Sequence, residues 1–228
     1  GLSFRWIVAG VVLLAGIGTV FVRCQLRQPY PMLPFDLLRI PVFSLSVLTS
    51  ILSFTSQMLG MVALPFMFHL TFGMSAAETG LLMTAWPLVI VVAGPLGGTL
   101  ATKIHSGLLG GVGLLVMSVG CFLLADVSPS VGYGGLVARL MLCGFGFGLF
   151  QSPNNHLLLS SAPSYRTGGA SGMQATARLV GQTTGAALVA LLFYLNGDRA
   201  PHAAMWLAGG FTLCGSLVSC SRLRAHRF

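Results

Sequence analysis

Four polar side chains stand at regular spacing inside one long apolar run of the sequence. Ser171, Gln174, Arg178 and Gln182 follow one another at intervals of three, four and four residues, which places them on one face of a helix. Arg178 lies about ten residues into this run, or ~15 Å along the helix, close to the centre of a bilayer. A guanidinium at that depth costs several kcal/mol when it faces lipid. The stripe therefore predicts contact with water, substrate or protein.

A second polar stripe occupies an earlier apolar run. It contains Ser46, Ser50 and Ser53, and it ends in Gln57 and Gly60. Serines in membrane helices commonly form hydrogen bonds between helices, and we interpret these three in that way. The longer amides indicate a wet cavity instead. We predict a substrate cavity lined by Gln57, Gln174, Arg178, Gln182 and Trp86.

Trp86 precedes Pro87, and the sequence leaves two roles open for it: an aromatic wall of the cavity, or a side chain that simply packs.

A second cation, Arg139, lies about seven residues, or ~10 Å, into another apolar run. The four acidic residues of the chain stand at helix ends or in loops, so neither Arg139 nor Arg178 has a carboxylate partner within a span. Glu78 belongs to a predicted capping box that begins at Ser75 and opens a helix. The two arginines then require carbonyl groups, water, substrate, or carboxylates on a missing part of the protein, and we favour the last of these.

Composition identifies the solvent that surrounds these residues. Hydrophobic residues make up 55% of the 228 residues and charged residues only 7%, whereas soluble domains carry charge on about a quarter of their residues. The chain is therefore predicted to be an all-α membrane protein. Seven apolar segments reach spanning length: 6–22, 43–70, 77–101, 107–125, 132–160, 168–195 and 203–218.

The first segment follows Arg5 and superficially resembles a signal peptide. Because six further spans follow and no small-residue cleavage site closes it, we interpret it as a transmembrane helix. A connector that contains Pro31, Pro34 and Pro41 comes next, with a short interfacial helix expected at Phe35–Arg39. The predicted units are a linker helix with its cytoplasmic connector, 1–42, and a six-helix bundle, 43–228. Residue 1 is Gly, which suggests a fragment of a longer protein.

Basic residues predict the orientation of the chain. Most of them fall at segment ends that alternate to one side, and basic loops favour the cytoplasm. The C-terminus is therefore expected in the cytoplasm, on the side of Arg23, Arg27, Arg39, Lys103, Arg166, Arg222, Arg224 and Arg227.

Glycines indicate how the helices approach one another. The pairs Gly144/Gly148 and Gly181/Gly185 have the small-xxx-small spacing that allows close helix packing.

Several other functions are disfavoured by the same sequence. The five cysteines contain no Cys-x-x-Cys pair, so neither a metal site nor a disulfide framework is expected. The net charge of +8 is scattered rather than gathered in a patch, which argues against nucleic acid. Histidines are dispersed and no two carboxylates share a span, so we expect neither an enzyme nor a cofactor.

Two stretches give the sequence a family resemblance. The run GFGFGLFQSPNN from Gly144 to Asn155, and GGASGMQATARLVGQTTG from Gly168 to Gly185, resemble the major facilitator superfamily. The chain is most similar to the C-terminal half of the fourteen-helix drug:proton antiporters. This resemblance implies a six-helix half-bundle preceded by one linker transmembrane helix. It also implies that the second, third, fifth and sixth segments line the central cavity.

Two further family patterns are present in altered form. The loop GTLATKIH, from Gly98 to His105, resembles the family signature Gly-x-Leu-Ala-Asp-Arg-x-Gly, with Thr102 at the acidic position. Arg139 matches the family's buried arginine of proton coupling, although the following glycine, Gly144, is five residues on rather than four. The family places most of its coupling carboxylates in the N-terminal half.

The resemblance implies a secondary transporter of the bacterial inner membrane that exports amphipathic or cationic compounds in exchange for protons. Its partners are then those substrates, protons, the lipid bilayer and the missing N-terminal half. The alternative is a seven-helix receptor, a light-driven pump or another non-transport membrane module. A retinal pump needs a lysine within a span, whereas the only lysine, Lys103, falls in a loop.

Overall fold

The computed structural model describes residues 13, 16–20, 23–24 and 35–225. The first predicted segment, 6–22, and most of the predicted unit 1–42 lie outside the described residues. The division of the chain at residue 42 stays a prediction.

Residues 35–225 form seven α-helices and three short 3₁₀ helices. Phe35–Arg39, Ser164–Arg166 and Gly197–Arg199 are 3₁₀ helices, and the first of these is the short helix expected in the connector. The α-helices are α1 (Pro41–Phe72), α2 (Ala76–Met83), α3 (Ala85–Leu100), α4 (Ser106–Ala125), α5 (Tyr133–Ser160), α6 (Thr167–Asn196) and α7 (Ala200–Ala225). Their long apolar stretches are sufficient to cross a membrane, which confirms an all-α membrane fold.

One predicted span is broken into two helices. Residues Ala76–Leu100 make a single apolar stretch, but α2 ends at Met83 and α3 begins at Ala85, with Thr84 between them. The predicted capping box at Ser75 is confirmed: the Ser75 hydroxyl accepts a hydrogen bond from the Glu78 amide, and the Glu78 carboxylate accepts one from the Ser75 amide. This box fixes where α2 begins.

The helices pack as two related groups of three spans. In the first group, α1 packs on α6 and α7; in the second, α5 packs on α3 and α4; and α4 packs on α7. Exchanging α1 with α5, the α2–α3 span with α6, and α4 with α7 leaves this set of contacts unchanged. Because α1 and α5 are three spans apart, they cross in opposite directions, so the three spans from α1 to α4 and the three from α5 to α7 form an inverted repeat.

Serine hydroxyls join the helices of this bundle, but not all of those we expected to do so: Ser46 and Ser53 donate to carbonyls within α1. Ser56 on α1 donates to the Ala208 carbonyl of α7 at 2.9 Å. Ser216 and Ser219 on α7 donate to carbonyls of α4 at 2.8 Å, and Ser118 of α4 donates back to α7 at the same distance. Each bond satisfies a polar group that lipid would leave unpaired.

The 3₁₀ helix of the connector is fastened to the bundle. Leu37 is buried in an apolar cluster with Phe43 of α1, Leu158 of α5 and Met173 of α6. Beside it, Arg166 donates to the Asp36 carboxylate at 2.7 Å. The connector and the α5–α6 loop therefore lie at the same end of the bundle, as their basic residues predict.

The last span is longer than expected. We ended its apolar segment at residue 218 and placed Arg222 after it, on the cytoplasmic side, but α7 continues to Ala225 and Arg222 is fully buried in the bundle. Its guanidinium donates to the Thr49 hydroxyl and to the Leu45 carbonyl, both on α1. The helix extends because these α1 groups, with the Gly107 face of α4, give the arginine a place to pack.

Candidate functional site

The polar stripe of α6 lies beside the face that packs on α1. The buried face consists of small and apolar residues at helical spacing: Ala170, Met173, Ala177, Gly181, Gly185 and Val189. Gln174, Arg178 and Gln182 stand roughly 20–100° around the helix from Gly181. Arg178 is exposed, and the two glutamines are half-buried. The stripe is therefore excluded from the packed interior.

Two glycines bring α6 against the backbone of α1. A Cβ atom on Gly181 would lie 2.7 Å from the Ile51 carbonyl oxygen, and one on Gly185 would lie 2.6 Å from that of Thr55. No larger residue fits such contacts without moving a helix. Since both residue numbers rise together along the contact, α1 and α6 run in the same direction. Gln57 consequently lies at about the depth of Gly185, roughly one helical turn beyond Gln182.

The stripe faces the space between α1 and α5. On α1, Phe54 meets Phe147 of α5 edge-on, with ring centroids 5.5 Å apart. One turn earlier, Ser50 accepts a hydrogen bond from the Asn154 amide of α5 at 2.8 Å. At 100° per residue, the side of α6 that carries the stripe turns from α1 towards these contacts with α5. The space has α1, α5 and α6 as its walls.

Sequence reasoning missed Gln151 of α5. It is half-buried, and it stands around the helix between the Phe147 side, which meets α1, and the Gly148 side, which meets α3. This position turns Gln151 towards the same space as the α6 stripe. Its place in the run from Gly144 to Asn155 was visible in the sequence, but its direction depends on how α5 sits against two other helices.

Arg139 lies apart from this group. It is half-buried in the second turn of α5, and its backbone carbonyl lies against Gly120 of α4. The Nη1 atom is buried and has no hydrogen-bond partner among the described residues. Around α5, Arg139 stands roughly 120° from Gln151, and the two residues are separated by ~18 Å along the helix. The structure does not bring Arg139 together with Arg178.

Trp86 is fully buried between three helices. Its ring contacts Gly60 of α1, and its own backbone lies against Gly144 of α5. The indole Nε1 has no hydrogen-bond partner among the described residues. A side chain without accessible surface lines no cavity in this conformation, so this placement favours the packing role over the cavity wall.

The second glycine pair lies in the seam between α3 and α5. A Cβ atom on Gly144 would collide with the Trp86 carbonyl oxygen, and one on Gly148 would lie 2.6 Å from the Ala93 Cβ. A Cβ atom on Gly97 of α3 would likewise lie 3.1 Å from the Leu149 carbonyl oxygen of α5. All four glycines singled out in the sequence therefore stand where two helix backbones meet.

This arrangement suits the binding of small molecules. The amide groups of α5 and α6 and one guanidinium are turned towards a space between membrane-spanning helices, where few other polar groups are available. Within the part of the chain that the structure describes, no group of three or more His, Cys, Asp or Glu residues could hold a metal ion.

Comparison with known proteins identifies similar chains. The model of the family "Major Facilitator Superfamily" matches residues 2–186 and, separately, residues 45–226. The chain is 48% identical over 227 residues to the uncharacterized transporter YebQ of Escherichia coli (strain K12). The matched region covers 100% of this chain and 50% of YebQ.

More distant relatives have names that include a transported compound or an efflux role. The multidrug efflux pump LfrA of Mycolicibacterium smegmatis is 26% identical over 77% of this chain and 35% of its own length. The riboflavin transporter RibZ of Clostridioides difficile is 29% identical over 66% of this chain and 33% of its own length. The chain thus spans half or less of the length of these relatives.

Proposed function

Because the chain belongs to the major facilitator superfamily, we propose that it is the C-terminal half of a secondary transporter that exports amphipathic or cationic compounds in exchange for protons. The cavity is lined by Gln57, Gln151, Gln174, Arg178 and Gln182. A matching N-terminal half completes it, and alternating access rocks one half against the other about this midplane site.

One observation carries this proposal: Arg178 stands in the middle of a span, yet its side chain is exposed on the surface of the bundle. Contact with lipid costs a guanidinium at this depth several kcal/mol. An aqueous cavity or a carboxylate of the N-terminal half is a favourable one. The relatives support this interpretation, since the chain matches only half of YebQ and is similar to a multidrug efflux pump.

In this mechanism, Arg178 acts as a counter-charge rather than as a substrate ligand. A carboxylate of the N-terminal half pairs with Arg178, takes up a proton, or binds a cationic substrate. These three states exclude one another. Binding of substrate therefore either expels the proton from the carboxylate or displaces Arg178 from it. Such competition is what couples export to proton uptake.

The proposed location is the bacterial inner membrane, with the C-terminus in the cytoplasm. The ion pair of Asp36 and Arg166 gathers the connector and the α5–α6 loop at one end of the bundle. That end carries most of the basic residues, and the positive-inside rule places it in the cytoplasm.

The experiment uses the full-length protein in inverted membrane vesicles that accumulate a fluorescent cationic dye when a proton gradient is imposed. We expect Arg178→Ala to abolish accumulation while the protein inserts in normal amounts, and Arg178→Lys to restore part of it. Arg199→Ala is the control, because Arg199 lies in the turn before α7, outside the spans. Dye accumulation by Arg178→Ala at the rate of the unmodified protein would contradict the proposal.

A further inference from the structure

An apolar groove lies between the α2–α3 span and α5, away from the polar stripe. Its volume is about 460 Å³, which is within the range of sites for drug-sized molecules. Its walls are formed by Leu81, Leu82, Thr84, Ala85, Leu88, Val89, Val137 and Met141, and its mouth by Glu78 and Tyr133. We call this feature the Glu78 groove. It contains no part of the cavity described above.

A fixed carboxylate stands at the mouth of the groove. One oxygen of Glu78 accepts hydrogen bonds from the amide and the hydroxyl of Ser75, both at 2.8 Å. The other oxygen accepts one from the Tyr133 hydroxyl of α5 at 3.1 Å. The capping of α2 accounts for the first oxygen. It does not account for the second, which a residue on the far side of the groove holds in place.

The charge at this mouth is uncompensated. Lys and Arg are absent from the residues that line the groove. The chain has only four acidic residues, and of the other three Asp36 is paired with Arg166 while Asp126 and Asp198 lie outside the groove. Glu78 is thus the carboxylate that lies beside a large apolar surface.

Polar and apolar groups lie in a definite order along the groove. Glu78 lies in the first turn of α2, at the end of the span, and Leu88 lies ten residues further along. Ten residues correspond to ~15 Å of helix. Leu88 is 64% exposed, so its side chain presents apolar surface to the groove rather than filling it. The groove is acidic at the membrane surface and apolar towards the membrane interior.

We propose that the Glu78 groove binds a single amphipathic monovalent cation, whose ammonium or phosphonium group lies against Glu78 and whose apolar body lies along Leu81, Leu88 and Met141. The site is separate from the central cavity. The proposal rests on the proposed function only for the class of compound, because cation binding at this groove requires no transport. In the proposed orientation it is on the outer face, where an exported compound leaves the protein.

The test measures equilibrium binding of tetraphenylphosphonium to the full-length protein in phosphatidylcholine nanodiscs, with no ion gradient. All proteins share the Arg178→Ala background, so any binding at the central cavity contributes equally to each measurement and the differences report the groove. We expect Glu78→Gln to weaken binding about three- to tenfold, the size expected when one partly exposed charge is lost. Glutamine keeps the capping box, so α2 remains in place. Leu88→Trp, which fills the groove, should weaken binding to the same extent or more.

Two controls isolate the charge and the place. Asp126→Asn removes a carboxylate of the same end outside the groove and should leave the affinity unchanged. Tetraphenylmethane, an uncharged analogue, should bind to the Arg178→Ala parent and to its Glu78→Gln derivative alike. Equal tetraphenylphosphonium affinity for the Arg178→Ala parent and for its Glu78→Gln and Leu88→Trp derivatives would overturn the proposal. That result is expected if a lipid chain or a segment of the N-terminal half occupies the groove. A transport failure in vesicles, with these affinities as expected, would contradict the proposed function but not this site.

Discussion

The α1–α6 pair and the α3–α5 pair are built in the same way. Each consists of two helices that run in the same direction and meet through glycines: Gly181 and Gly185 in one seam, Gly144 and Gly148 in the other. The two seams exchange under the inverted repeat. Their outer surfaces differ, because Gln174, Arg178 and Gln182 flank the first seam, whereas α3 exposes Leu88, Val91, Val92 and Leu96.

This difference separates packing from function. The glycines determine how closely two helices approach, and both seams use them. The residues next to the glycines determine what the free surface contacts: water and polar groups beside α6, apolar groups beside α3. A repeat can therefore keep its packing in both copies while only one copy acquires a polar wall.

The largest expected difference between the two surfaces is their access to water. In full-length protein whose native cysteines are replaced by alanine, Arg178→Cys should react to completion with a charged, membrane-impermeant thiol reagent. Val92→Cys should remain unreacted, although Val92 is 72% exposed in the bundle, because lipid or protein covers an apolar surface. Mass spectrometry measures both reactions.

Trp86→Cys is the buried control for this labelling and should not react. Equal labelling of the positions at 178 and 92 would remove the distinction between the two surfaces. Absence of labelling at 178 in both the resting and the substrate-loaded protein would place the stripe against lipid or dry protein.

The second prediction concerns what the seams share. Gly144→Ala and Gly185→Ala should each destabilise the protein by about 1–3 kcal/mol, because the new Cβ meets a backbone carbonyl that moves only with its helix. SDS titration of the full-length protein in mixed micelles measures the free energy of unfolding. Effects of similar size would show that both seams depend on the same kind of close backbone contact.

Gly94→Ala is the matched control on α3. A Cβ there meets nothing within 4 Å, so alanine should be neutral or stabilising by up to about 1 kcal/mol. If Gly144→Ala is tolerated as well as Gly94→Ala, the α3–α5 seam is not a tight contact, and the likeness between the two seams disappears.

The sequence predicts the frame of this molecule well, because membrane spans depend mainly on composition and length. The span expected at 43–70 is α1, Pro41–Phe72, and the one expected at 168–195 is α6, Thr167–Asn196. The 3₁₀ helix Phe35–Arg39 and the capping box at Ser75 were also predictable, since both depend on neighbouring residues alone.

Features that depend on distant helices were not predictable. Arg222 follows an apolar run and so resembles the start of a tail, but Thr49, far away in the sequence, keeps it in the bundle. The direction of Gln151 depends on the placement of α5 between α1 and α3. The role of Trp86 was left open for the same reason. The coupling role of Arg139 and the linker helix stay predictions.

The third prediction tests the unpaired indole in the α3–α5 region. Trp86→Phe should change the free energy of unfolding by no more than about 1 kcal/mol, because the lost contacts are offset by removal of a buried N–H that has no partner among the described residues. Trp86→Ala should cost about 3–5 kcal/mol, as for other buried aromatic residues. The same SDS titration measures both.

Trp206→Phe is the control, because Trp206 is 54% exposed on α7 and should have almost no effect. If Trp86→Phe costs as much as Trp86→Ala, the indole N–H has a partner such as a buried water molecule. The α3–α5 seam would then contain a polar site of its own, and its contrast with α6 would be smaller.

The smallest effect is expected for a hydroxyl on α1 that points away from the polar stripe. Ser56 is fully buried and donates to the Ala208 carbonyl of α7, so it acts as a link between helices rather than as part of the cavity. Hydrogen bonds between membrane helices are worth about 0.6 kcal/mol on average, and Ser56→Ala should cost about that much in the SDS titration. Gln57→Ala, one residue further along, should leave stability nearly unchanged and lower the rate of dye transport. If Ser56→Ala instead lowers transport and Gln57→Ala lowers stability, the polar side of α1 has been assigned to the wrong face. The α1–α6 surface would then not be the cavity wall.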